Sequence, residues 1–293
     1  MQLAVLATDA LFLGLLGVAA TYAWYASRYE HLSAPWREVS RNPIAIGAAA
    51  VLLTFLTVAV LDSIHFYPKL ESIEGDDAND YYASEVISAF DLVVGSMRSN
   101  VEKTYSAPFA VRAFSKETIE LENGGTTRDY PRLLYGGSHL QDENKRGLDV
   151  FRLATLGASM ALVVWATFVA LTLFLTARSR ATSVLETFSS ALRGRLRFPF
   201  RTFFGVTGAI GVVLGLCVTL SPNYHILGTD KVGTDVLYQS LKSIRTGLVI
   251  GTLTTLVMLP FAIILGVAAG YFRGRVDDVI QYLYTTLSSI PGV

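Results

Sequence analysis

The segment TGLVIGTLTTLVMLPFAIILGVAAG, residues 246–270, contains no charged side chain and is long enough to cross a lipid bilayer as a helix. Four more stretches have a similar length and apolar character, at 3–25, 44–66, 152–176 and 202–220. A sixth, 276–293, is too short for a complete span, so we expect the chain to be truncated at its C-terminus. The sequence therefore predicts an all-α integral membrane protein, a polytopic helical bundle.

Composition supports a membrane location for most of the chain. Of the 293 residues, 52% are hydrophobic and 16% charged, whereas soluble domains carry about 25% charged residues. The formal net charge is zero, which argues against a nucleic-acid partner. The one cysteine, Cys217, lies in an apolar run and cannot form an intramolecular disulfide. No Cys/His spacing predicts a metal site.

Basic residues in the short loops predict the orientation. Residues 177–201 contain six arginines against one glutamate, 26–43 contain three against two glutamates, and 271–275 contain two. The positive-inside rule makes these loops cytoplasmic. The N-terminus, 67–151 and 221–245 are then outside, in a multi-pass protein of the cell (inner) membrane.

The segment 67–151 reads as a small external α+β insert. Residues 67–150 carry nine Lys and Arg against fifteen Asp and Glu, a net charge of 9 − 15 = −6. Apolar residues recur at helical spacing between 80 and 98, and three strands are predicted at 109–114, 118–122 and 130–135. The tripeptide Asn-Gly-Gly at 123–125 predicts a hairpin turn between the last two strands.

Isolated polar residues receive structural interpretations. Asp9 lies near the outer end of the first span, where its carboxylate can reach the headgroup region; an ion-coupling role is the alternative. His139 is expected to be a surface histidine, because the other histidines are scattered and form no metal-ligand spacing.

The most distinctive stretch is HILGTDKVGTDVL, residues 225–237. Gly228 and Gly233 allow a compact loop, and Asp230, Thr234 and Asp235 can accept backbone N–H groups, with either of the last two as helix N-cap. The helix that follows has an apolar stripe at i, i+4, i+7 and i+11, with Lys242 and Arg245 off it. We expect an amphipathic interfacial helix that precedes span 246–270; it contains Leu237, Leu241, Ile244 and Arg245.

This stretch, with SIRTGL at 243–248, the phrase GVAAGYFRG at 266–274 and VDD at 276–278, resembles dipeptide/oligopeptide-type permeases of ABC importers, the C-type subunit. WREVSRNP at 36–43 is similar to the segment before the first helix of that family. The family arginine of G-R-D is Thr234 here. A span at 3–25 and residues 67–220 are additional to the family pattern, and the family's ATPase-gripping loop would lie beyond Val293.

The resemblance implies a subunit that translocates di- or oligopeptides without chemistry of its own. Its partners would be a second permease subunit, cytoplasmic ATPase subunits that hold ATP and Mg, an external solute-binding protein and membrane lipid. The residues implied as external loop and gate are Gly228, Thr229, Asp230, Gly233, Thr234 and Asp235. Pro260 is a candidate kink beside the path.

The resemblance also implies a division of the chain: 1–43 as an extra span and cytoplasmic loop, 44–66 as a transmembrane helix, 67–151 as the insert, 152–220 as two spans with a basic loop, and 221–293 as the start of the permease core. No Walker A pattern occurs, so the chain is not expected to be an ATPase, and no catalytic, metal or cofactor residue is predicted.

Two other functions remain open. A membrane sensor or accessory scaffold would use 67–151 to bind a ligand. A secondary transporter would need paired charges or ion ligands at mid-span, where we find none.

Overall fold

A computed structural model describes residues 2–69, 82–120, 126–180, 183–194 and 196–289. The chain divides into two compact units, Met1–Arg245 and Thr246–Val293. Because the units are separate, each is described by itself.

Ten α-helices lie in the described residues: α1 (Ala7–Arg28), α2 (Glu30–Val39), α3 (Pro43–Asp62), α4 (Ala89–Val93), α5 (Gly95–Ser99), α6 (Arg146–Arg180), α7 (Val184–Leu192), α8 (Phe200–Leu220), α9 (Val236–Phe272) and α10 (Arg275–Ser289). Five helical segments are long and apolar enough to cross a membrane: Ala7–Arg28, Pro43–Asp62, Glu143–Arg180, Phe200–Leu220 and Val236–Phe272. The predicted all-α polytopic membrane fold is confirmed.

Local sequence explains where α3 begins. Pro43 occupies the first helical turn, where its missing N–H costs nothing. The side chain of Asn42 accepts hydrogen bonds from the backbone N–H groups of Ile44 and Ala45, which satisfies two donors at the helix end.

Small residues let α6 and α8 cross closely. A Cβ atom built on Gly157 of α6 would lie 2.6 Å from the carbonyl oxygen of Gly215 in α8, and the reverse distance is also 2.6 Å. Close backbone approach is the typical device for helix association in a bilayer. Other glycines at four-residue spacing in α8 and α9 lack such a neighbour: an added Cβ would meet no atom within 4 Å at Gly211, Gly247, Gly251, Gly266 or Gly270.

A three-stranded antiparallel sheet joins the N-terminus to the insert. Strand β1 (Gln2–Ala4) pairs with β2 (His65–Tyr67), which pairs with β3 (Ile87–Ser88). The residues before α1 and those after α3 are therefore on one side of the spans, as the predicted topology requires. We call this the insert side.

The insert is smaller in regular structure than predicted. A capping box of Ser88 and Asp91 starts α4. Strands β4 (Glu117–Glu120) and β5 (Thr126–Asp129) form an antiparallel hairpin, and the predicted turn at 123–125 lies outside the described residues. The predicted strands 109–114 and 130–135 are wrong: they are irregular segments joined by a bridge between Arg112 and Arg132. No longer ladder forms because the backbone N–H groups of Phe109 and Phe114 donate to the carbonyls of His225 and Tyr105.

The predicted separate interfacial helix is also wrong in one respect, because its residues and span 246–270 belong to the single helix α9. The helix is continuous through Thr246, although Gly247, a poor helix former, follows it. Pro260 lies within α9 and is exposed. The predicted incomplete span 276–293 corresponds to α10, and residues 290–293 lie outside the described part of the chain.

Candidate functional site

Loop 225–235 folds tightly before α9. Gly228 and Gly233 have φ angles of +77° and +79°, which favour glycine. The side chain of Asp230 accepts hydrogen bonds from the backbone N–H groups of Val232 (3.0 Å) and Thr234 (2.8 Å). It also accepts one from the side-chain amide of Gln239, and these bonds hold the pKa of Asp230 below its usual value although burial acts against them. The loop is closed by its own aspartate.

The insert covers one face of this loop. A Cβ atom on Gly233 would collide with the carbonyl oxygen of Glu102, and one on Gly228 would collide with that of Ser106. The backbone N–H of Glu102 donates to the carbonyl of Gly233 (2.9 Å), and the hydroxyl of Thr229 donates to the carbonyl of Thr104 (2.8 Å). The two glycines are therefore required by the close approach of residues 102–106 as well as by the turn.

A buried cluster of Glu102, His225 and Asp235 lies beneath the loop. Nδ1 of His225 is 2.8 Å from Oδ2 of Asp235, and its Nε2 is 3.3 Å from Oε1 of Glu102. Burial alone would lower the pKa of His225, but the two carboxylates outweigh it and raise that pKa to about 9. The imidazole is thus a buried cation at neutral pH.

Backbone N–H groups complete the coordination of Glu102. Its carboxylate accepts hydrogen bonds from the N–H groups of Leu134 (2.7 Å), Tyr135 (2.8 Å) and Gly136 (3.0 Å). Burial opposes ionisation, but these donors and His225 together lower the pKa of Glu102 to about 2. This one side chain ties two segments of the insert to the loop.

Asp235 also starts helix α9. Its Oδ1 accepts hydrogen bonds from the backbone N–H groups of Leu237 (2.8 Å) and Tyr238 (3.1 Å), which is the geometry of an N-cap. Of the two predicted candidates, the structure thus assigns the cap to Asp235. Thr234, at the position of the family arginine, bonds only with Asp230 through its backbone.

A second cluster, the insert-side charge cluster, combines three carboxylates, two cations and an imidazole. Each carboxylate is at most 3% exposed. Its members are Asp9, Asp62, His65, Asp91, Lys242 and Arg245. Asp9, expected near the headgroup region, lies in the first turn of α1 and is buried among side chains, 2.8 Å from Nδ1 of His65 and 2.6 Å from Nη2 of Arg245. Among the described residues, the ion pairs of this cluster lie near the ends of the spans, and none is found at mid-span.

Asp91 connects this cluster to the insert. Its Oδ1 accepts hydrogen bonds from the hydroxyl of Tyr238 (2.8 Å) and from Nζ of Lys242 (2.8 Å). Burial opposes ionisation, but the bonds from Lys242, the backbone of Ser88 and Tyr238 lower the pKa of Asp91 to about 2. The first turns of α9 are therefore held by the insert.

The structure thus brings together Gly228, Thr229, Asp230, Gly233, Thr234 and Asp235 in one loop. Leu237, Leu241, Ile244 and Arg245 are half-buried in the first unit. Pro260 belongs to the second unit, so no structural relation to the loop is assigned. Glu102, His225, Asp62, Asp91 and Lys242 were not predicted as site residues, and Asp9 was predicted in a different role.

His139 is half-exposed, and the prediction of a plain surface histidine omits its contacts. Its Nε2 lies 2.7 Å from Oδ2 of Asp149, and its ring meets the edge of the Tyr224 ring. Among the described residues, no group of three or more His, Cys, Asp or Glu side chains could hold a metal ion.

Comparison with known proteins gives relatives for a quarter of the chain. The oligopeptide transport system permease protein OppC of Lactococcus lactis is 44% identical over 71 residues, 24% of this chain and 24% of that protein. The glutathione transport system permease protein GsiD of Pectobacterium atrosepticum is 33% identical over 69 residues, 24% of this chain and 23% of its own length. The dipeptide transport system permease protein DppC of Bacillus subtilis is 31% identical over 67 residues, 23% and 21% of the two chains.

Part of this chain is similar to peptide-transporter permeases. The resemblance inferred from the motifs is confirmed. The matched length agrees with the permease-like segment of about 70 residues that begins at His225. The chain spans about a quarter of the length of the relatives it matches. No family model matches the chain, and no solved structure matches it.

Proposed function

We propose that this chain acts as a transmembrane permease subunit of an ATP-driven, binding-protein-dependent importer of di- or oligopeptides. The observation that carries the proposal is the 44% identity over 71 residues to an oligopeptide permease component. The loop of the permease-like segment is held by its own aspartate and glycines, as a contact surface for a partner would need to be.

The second unit supports a role next to another membrane helix. A groove of about 460 Å³ runs along α9 and is lined by small, hydroxylated and leucine side chains: Gly247, Leu248, Gly251, Thr252, Thr255, Leu256 and Leu259. No residue in the most apolar stretch of α9 is buried. We propose that a second permease subunit packs on this face, and that the solute path lies between the two subunits.

The remaining partners follow from the same proposal. ATP and Mg would be held by cytoplasmic ATPase subunits, because the sequence contains no Walker A pattern. An external solute-binding protein would deliver the peptide on the insert side. In this proposal the N-terminus and the insert lie outside the inner membrane. Pro260 stays a candidate for a kink beside the path.

One observation favours a second role, that of a sensor or accessory scaffold. The insert is folded onto loop 225–235 through Glu102, so a ligand that binds the insert has a direct connection to the start of α9. A receptor could use the same connection.

Purification of the full-length gene product in detergent, with mass spectrometry of the proteins that accompany it, tests the importer proposal. We expect a second permease and ATPase subunits with Walker motifs. Reconstitution of that complex with labelled di- and oligopeptides then measures ATP-dependent uptake and its length preference. Recovery of the chain alone, or with a kinase, would overturn the importer proposal and favour the sensor.

A further inference from the structure

Arg245 contacts two different spans through its two terminal nitrogens. Nη2 lies 2.6 Å from Oδ1 of Asp9 and donates to the hydroxyl of Thr8 at 3.0 Å; both residues belong to α1. Nη1 lies 3.5 Å from Oδ2 of Asp62 in α3 and donates to the carbonyl oxygen of Asp62 at 3.3 Å. A planar guanidinium can serve both helices at once, whereas a lysine ammonium offers one nitrogen.

Burial makes these contacts consequential. Asp9 and Asp62 are each 1% exposed, and Arg245 shows only 16% of its side chain. Neither oxygen of Asp9 has a well-directed hydrogen bond from the described residues, so its charge is balanced by the ion pairs alone. Removal of one partner from a buried pair leaves an uncompensated charge, which is strongly destabilising.

Strand pairing is a second connection between α1 and the rest of the first unit. Strand β1 pairs with β2 through three residues beside the start of α1. Three residues on a short, mostly exposed strand offer few hydrogen bonds. If the ion pairs hold α1, a variant that lacks Arg245 should let α1 move. If strand β1 holds α1, the same variant should leave it in place.

We propose that Arg245 is a positioning residue that locks the insert-side end of α1 against α3 and the start of α9. The span additional to the permease-like pattern is thereby a fixed part of the first unit and not a loosely attached extra helix. Lys242, one turn earlier in α9, reinforces the lock because it lies 2.8 Å from Asp91 and 4.0 Å from Asp62. This inference does not depend on transport.

The test measures the position of α1 directly. Spin labels are placed at Ala10 and Ser243, both exposed, in a full-length Cys217→Ser background reconstituted in phospholipid nanodiscs. Double electron–electron resonance gives the distribution of distances between the labels. We expect a narrow distribution for the parent protein and a broad or displaced one for Arg245→Gln. Arg245→Lys should restore the position only in part, because the single nitrogen of a lysine cannot replace the two terminal nitrogens of the guanidinium.

A matched control removes another arginine with two carboxylate partners. Arg112 contacts Asp129 and Glu143 but is half-exposed, so Arg112→Gln should leave the distribution unchanged. If Arg245→Gln does not fold, Asp9→Asn and the double variant Asp9→Asn/Arg245→Gln carry the test. The double variant should broaden the distribution little further than Asp9→Asn, since both break the ion pair of Asp9 with Arg245 and only the bond to Thr8 is lost from α1 in addition.

Thermal denaturation provides a second readout. Arg245→Gln should lower the midpoint by about 10 °C, and Arg112→Gln should lower it by much less. A parent-like distance distribution in folded Arg245→Gln or Asp9→Asn would overturn the proposal and assign the position of α1 to strand β1. Because no substrate or ATPase is present, this outcome is distinct from a failure of the importer proposal.

Discussion

The buried imidazole of His225 gives the fold a pH dependence that can be worked out from its surroundings. The folded protein holds the pKa of His225 at about 9, against an ordinary value of 6.5. Because the folded pKa is the higher one, the contribution is fully present below pH 6.5 and is lost as the pH rises through 9. The difference corresponds to about 3 kcal/mol of unfolding free energy. The lowered pKa of Glu102 reflects the same pair and is not added.

The assay is thermal denaturation in detergent between pH 6 and pH 10, followed by circular dichroism or intrinsic fluorescence. We expect the midpoint of the parent protein to fall by roughly 5–10 °C more than that of His225→Gln over this range. The variant should be less stable than the parent at pH 6, because Glu102 and Asp235 then lack a cation between them.

His139→Gln is the matched control. His139 is half-exposed and faces Asp149, so its replacement should preserve the steep pH dependence of the parent protein. Equal slopes for the parent protein and His225→Gln would refute the reasoning, since the proton lost between pH 7 and pH 10 would then belong to another group.

Three further predictions concern single side chains. Gly233→Ala should destabilise the protein by more than about 2 kcal/mol, because the new Cβ collides with a backbone carbonyl at a positive φ, whereas Gly147→Ala in open space should be neutral or stabilising; denaturation midpoints compare them. Asp235→Ala should cost more than the ~1 kcal/mol of a helix cap, and Asp235→Asn should recover only the cap portion in the same assay; equal losses would contradict the two-role reading. Tyr238→Phe should cost about 1 kcal/mol through its lost hydrogen bond to Asp91, and an unchanged midpoint would mean that Lys242 and the backbone of Ser88 satisfy that carboxylate without it.

The sequence was sufficient for the parts of the fold that depend on local composition. Five apolar runs specify five spans because about 20 apolar residues have few alternatives to a membrane helix. The glycines of loop 225–235 and the cap at Asp235 were also predictable, since turns and caps need particular residue types at adjacent positions. Strands of the insert were less predictable, because backbone N–H groups at Phe109 and Phe114 bond to the carbonyls of His225 and Tyr105 in place of the ladder expected at 109–114.

The clusters could not be found from the sequence because their partners lie far apart. Glu102 is 123 residues from His225, and Arg245 is 183 residues from Asp62. No periodic pattern links such positions, and Glu102 is one of fifteen acids in a segment with a net negative charge. A usable signal did exist for Asp9 and Asp62, since two acids near span ends require cations. Arg245 and Lys242 lie near a span end on the same side, but so do Lys69 and Arg152, and the sequence does not select among these four cations.

The close contact of Gly228 and Gly233 with residues 102–106 bears on how this chain could be recombined with its relatives. This loop, grafted into a relative, would arrive without the backbone that occupies the space beside both glycines and without Glu102 as the second carboxylate of His225. Deletion of the insert would remove Glu102, one of the two carboxylates beside His225, and would leave the loop uncovered. Residues 102–106 and 225–235 therefore form one structural unit. Chimeras should exchange the two segments together.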